Sequence, residues 1–145
     1  MFKKIFAAAM MSAIITVPAE AQTEDSVCGG YAAVGGVMAS EMLDLTLRDL
    51  VGMMQNKRPD ITAKLMSAME TRLTADEVAG ITQLPGDEAS LLGEAAGEHA
   101  MNVLMTGRAS SADDVVTLMK QSCLTTGYKT VVGNQRQINE LSQGR

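Results

Sequence analysis

The placement of two cysteines, Cys28 and Cys123, constrains this chain more than any other feature, because they stand near the two ends of the mature sequence. Whether they pair depends on the compartment, and the first residues bear on that. Met1-Phe2-Lys3-Lys4 is a short basic start, Ile5 to Val17 is an apolar run without charge, and Pro18 precedes Ala19-Glu20-Ala21, a small-x-small cleavage pattern. Residues 1–21 read as a Sec-type signal peptide cut before Gln22, leaving residues 22–145 as one mature domain. The run is shorter than the roughly 20 apolar residues that span a bilayer. No Cys stands at the cut to carry a lipid, and no later segment is long and apolar enough for a stable membrane span. The expectation is a periplasmic or secreted protein of the bacterial envelope. There an even pair of cysteines defaults to a disulfide, and the absence of C-x-x-C argues against thiol redox or metal chemistry. Joining Cys28 to Cys123 would remove unfolded-chain entropy worth about 4 to 5 kcal/mol in the simplest treatment.

The 124 residues after the cut are enough for one apolar core and too few for two domains. Their apolar positions recur at three- and four-residue steps, with no comparable strand-period stretch. Val27, Tyr31, Val34, Met38, Met42, Leu45 and Met53 predict a first helix, capped by Asp25 or Ser26 and running to about Asn56. Pro59 suits the first turn of a second helix. Thr74-Ala75-Asp76-Glu77 is a capping box for a short third, which Leu84-Pro85-Gly86 breaks off. Asp87 opens a fourth that stops at Gly107, and Ser111-Ala112-Asp113-Asp114 starts a fifth carrying Cys123. Tyr128, Val131, Gln135, Ile138 and Leu141 predict a last amphipathic helix. The fold expected is all-α, an irregular four- to six-helix bundle with one end-to-end disulfide. Gly29, Gly30, Gly35 and Gly36 stand where Ala would favour helix by about 1 kcal/mol each. They predict either an irregular opening or a close packing of helices, with the Gly93 and Gly97 stripe of the fourth helix as the partner surface.

Composition narrows function by exclusion. The chain has 12 basic against 17 acidic side chains; removing Lys3, Lys4 and Glu20 with the signal leaves 10 against 16, which disfavours a nucleic-acid partner. Both Phe residues lie in the signal and Trp is absent, so Tyr31 and Tyr128 are the aromatics left for stacking. No nucleophile elbow, zinc-protease, phosphate-loop or calcium-loop motif is present, which points away from an enzyme and calls for no cofactor. A hydrolase would need Glu94, Glu98 and His99 to converge, although Glu98 and His99 are adjacent on a helix and point about 100° apart. Methionine is the compositional outlier, and thioethers are soft ligands suited to Cu(I). Met38 with Met42, Met66 with Met69, and Met101 with Met105, near His99, have spacings that put both sulfurs on one helix face. The same spacings serve a core in which flexible Met fills gaps.

In size, compartment and paired Cys the chain is similar to small exported helical proteins such as periplasmic acid-stress chaperones and the immunity proteins that neutralise secreted cell-wall enzymes. Cys28-x-Gly30-Tyr31 is the local pattern that looks like a piece of the latter, and no functional residue is carried over from either. The function expected is a non-enzymatic binding or interaction protein whose partner is another envelope protein. The alternative is a small-ligand or soft-metal carrier using the Met-rich helix faces.

Overall fold

The computed structural model describes residues 23–144; the export signal assigned to residues 1–21 lies outside them. Among the described residues there are seven helices and no strand: α1 (Glu24–Met42), α2 (Leu47–Met54), α3 (Pro59–Arg72), α4 (Ala75–Thr82), α5 (Glu88–Met105), α6 (Ala112–Thr126) and α7 (Tyr128–Gln143). No described helix is long and apolar enough to cross a membrane.

Helix α1 is the central column. Its buried residues, from Val27 through Tyr31, Val34 and Met38 to Met42, include positions on every side, as expected of a helix surrounded by others. Helices α3, α4, α5 and α6 pack around it, and α7 lies mainly on α5. The cap is neither Asp25 nor Ser26: the Thr23 hydroxyl accepts from the Ser26 N–H at 3.1 Å, and Glu24 and Asp25 fall in the first turn, where negative charge complements the helix dipole.

The first helix does not run to Asn56. It ends at Met42, and Thr46 starts α2 with a capping box: the Asp49 N–H donates to Thr46 Oγ1 at 3.2 Å and the Thr46 N–H donates to Asp49 Oδ2 at 3.0 Å. The apolar rhythm continues across the turn, which is why periodicity alone merges the two helices. Arg58 then pairs with both Asp49 and Asp60, tying the start of α2 to the start of α3. The remaining starts and stops follow the sequence signals. Thr74 and Glu77 form their capping box, the Ser111 hydroxyl accepts from the Asp114 N–H, and Gly107 ends α5 in the left-handed region with φ 71°.

Cys28 and Cys123 form the disulfide between α1 and α6, 95 residues apart in sequence and fully buried. Beside it, the Tyr128 N–H donates to the Glu24 carboxylate at 3.2 Å, linking the α6–α7 turn to the first turn of α1.

The glycines of α1 lie in regular helix, and their tightest neighbours come from α4 and α6, with the α5 backbone at Ala96 also in contact range of Gly35. A Cβ on Gly30 would stand 2.7 Å from the Glu77 carbonyl oxygen, and one on Gly80 would stand 2.5 Å from the Ser26 carbonyl oxygen. Helices α1 and α4 thus cross backbone to backbone, each contributing a glycine. Gly35 and Gly36 receive the side chains of Met119 and Val116 from α6. Gly93 and Gly97 are buried in α5, which does pack on α1, but the closest approaches at Gly30, Gly35 and Gly36 involve α4 and α6. Gly29 makes no close packing at all: a Cβ there would meet nothing within 4 Å.

Candidate functional site

The candidate methionines separate by environment. Met38 and Met69 are sealed in the core together with Met53 and Met119, and Met66 is half-buried against it. Core packing accounts for these side chains. Met42, Met101 and Met105 differ, because all three line one cavity of about 210 Å³ where the end of α1 meets the end of α5.

Glu94, Glu98 and His99 turn towards different partners. Glu94 is buried and accepts from Asn139 Nδ2 at 2.8 Å through one oxygen, while its other oxygen is buried without a partner. Glu98 accepts from Gln135 Nε2 at 3.3 Å, and Gln135 also donates to Asn139 Oδ1 at 3.1 Å. These carboxylates therefore fasten α7 to α5. The His99 ring instead meets α1, with Nδ1 2.8 Å from the Tyr31 hydroxyl. No group of three or more His, Cys, Asp or Glu side chains among the described residues is arranged to hold a metal ion.

Burial, aided by the Glu98 charge, pushes the Tyr31 hydroxyl well above its ordinary range, so the phenol keeps its proton. Burial, with Arg108 adding to it, holds His99 below its ordinary value of 6.5. The neutral ring shares one hydrogen bond with the phenol through Nδ1. A His whose folded value is depressed binds fewer protons folded than unfolded, so stability rises with pH between the two values. Acidification through about pH 6.5 therefore weakens the fold, and the loss levels off below the folded value. Urea midpoints measured from pH 7.5 down to 5 should fall in the wild type, and this His99-linked part should disappear in His99→Gln, which keeps a neutral acceptor.

Sequence reasoning missed a concavity over the central helix. A groove of about 530 Å³ runs over α1 between α4 and α6. Gly29, Ala33 and Gly36 contribute to its floor, and Asp25, Asp76, Glu77 and Asp113 to its walls. Lys120 and Arg72 also line it, but Lys120 lies 3.2 Å from Asp25 and Arg72 lies 3.1 Å from Glu41, so both cations are already engaged by carboxylates of this chain. Four carboxylates against two cations leave the groove acidic. Gly29 was its one trace in the sequence: a helical glycine that nothing packs against, whose missing side chain leaves the groove open.

These features define an all-helical domain, tied by a buried disulfide and grooved along its central helix. No family model matches the chain, and no curated protein or solved structure matches it.

Proposed function

We propose that this is an exported, non-enzymatic interaction protein of the bacterial envelope, and that the α1/α4/α6 groove receives a basic segment of another envelope protein. The groove itself carries the reading. Over Gly29 and Ala33 its floor carries little side chain, so the backbone or a small face of a partner can approach closely there, and its carboxylates favour Lys and Arg while repelling acidic sequences. Gly29 supports it further, since a helix interior gives up about 1 kcal/mol for glycine over alanine and no neighbour here requires it. The buried disulfide suits an oxidising compartment, in keeping with the basic, apolar and small-residue order of residues 1–21.

The experiment is capture from an envelope extract followed by titration of the captured partner's basic segment as a synthetic peptide. Affinity should fall steeply as salt rises. It should also be lost in Gly29→Leu, whose side chain enters the groove without displacing any neighbour within 4 Å of the Cβ position. Salt-insensitive binding, or full binding by Gly29→Leu, contradicts the reading.

A further inference from the structure

We infer that Met42, Met101 and Met105 form a binding site for a soft monovalent cation, Cu(I) in the oxidation state thioethers prefer. Two helices bring the three methionines to one cavity: Met42 is the last residue of α1, while Met101 and Met105 are one turn apart at the end of α5. The burial of the three is graded. Met42 and Met101 are 4% and 8% exposed and Met105 is 58% exposed, so the site has a sheltered interior and an open side through which an ion enters. Core packing accounts for the first two, while Met105 stands at the mouth of the cavity.

The other walls set the selectivity. Leu43, Leu45, Leu50, Leu104 and Ala109 complete the lining, with no carboxylate or imidazole among them. Hard divalent ions that require oxygen ligands find none from these side chains, and a monovalent ion is much less costly to bring into apolar surroundings than a divalent one. Competing thiolates are also missing from the described residues, because both cysteines are in the disulfide. Flexible thioethers suit such a site, because their rotamers adapt to a bound ion.

Ag(I) is the test probe, since it is soft, monovalent and needs no reductant that would open the disulfide. The mature chain is titrated with Ag(I) while its Met methyl groups, labelled with ¹³C, are followed by NMR. The expected result is saturation at one ion per chain, with shifts confined to the methyls of Met42, Met101 and Met105. Met101→Leu and Met105→Leu, close in volume and tolerated in apolar packing, should each weaken binding by at least about tenfold. Met38→Leu, in the sealed core, should leave it unchanged. No saturable binding, shifts spread over all methyls, or equal affinity in Met38→Leu, Met101→Leu and Met105→Leu would overturn the assignment. So would retention of wild-type affinity when Met101 and Met105 are both Leu.

Discussion

Replacing both Cys28 and Cys123 with Ala lowers the unfolding free energy by about 4 kcal/mol, the largest effect expected of any change that removes so few atoms. The bridge closes 95 residues of sequence, more than three-quarters of the described chain, so it restricts most of the unfolded ensemble. Chain-entropy arithmetic for such a loop gives about 4.7 kcal/mol as an upper value, and residual unfolded structure brings the figure down. Domains of this size are held by about 5 to 15 kcal/mol in total, so the variant sits near the edge of stability. The native contacts around the bridge favour the same pairing of helices, because α6 still inserts Val116 and Met119 against Gly36 and Gly35 of α1. The variant should therefore remain helical at low temperature while its urea midpoint falls sharply. Equal midpoints for the bridged protein and the double variant would mean that the loop-closure argument fails here.

Alanine at Gly80 is the second large effect, and its sign should be opposite to that of alanine at Gly29. At Gly80 the new methyl would stand 2.5 Å from a backbone carbonyl oxygen of Ser26, and backbone cannot move aside as a side chain can. Helices α1 and α4 must separate, at a cost of about 1 to 3 kcal/mol that exceeds the helix-propensity gain of up to ~1 kcal/mol. Gly30→Ala meets the Glu77 carbonyl oxygen at 2.7 Å from the other side of the same crossing and should behave alike. At Gly29 nothing lies within 4 Å, so alanine there recovers the propensity without a clash and stabilises by about 0.5 to 1 kcal/mol. Thermal midpoints of the three single variants decide the matter. Destabilisation by Gly29→Ala, or neutrality of Gly80→Ala, would break the assignment of which glycines are there for packing.

What the sequence made legible was local chemistry. The capping box at Thr74 and Glu77, the Ser111 start, the stop at Gly107 and Pro59 in a first turn each act within a few residues, and each appears where expected. The division of α1 from α2 uses the same chemistry with Asp49 in place of Glu, and it was masked by apolar residues that keep a helical rhythm through the turn. The pairing of the two cysteines was also readable, because two thiols allow one intramolecular bond. The candidate sites were legible only in part, since they depend on which faces meet. Spacing could pair Met101 with Met105 on one helix, but it could not place Met42 beside them in preference to Met38. The Tyr31–His99 bond joins residues 68 apart, and no local pattern announces it. The groove was the least legible feature because it is a space left between three helices, and only an unexplained glycine marks it.

The proposed role of the groove as a docking site is tested most directly by a photo-crosslinking amino acid at Ala33, which lines the groove, in the chain expressed in bacterial cells. Irradiation of intact cells should give an adduct to a Lys- or Arg-rich segment of another envelope protein. That adduct should vanish when Gly29→Leu fills the groove, and it should not form from the same probe at Ser142, exposed near the end of α7. No adduct from Ala33, or an equal yield from both positions, would contradict the account.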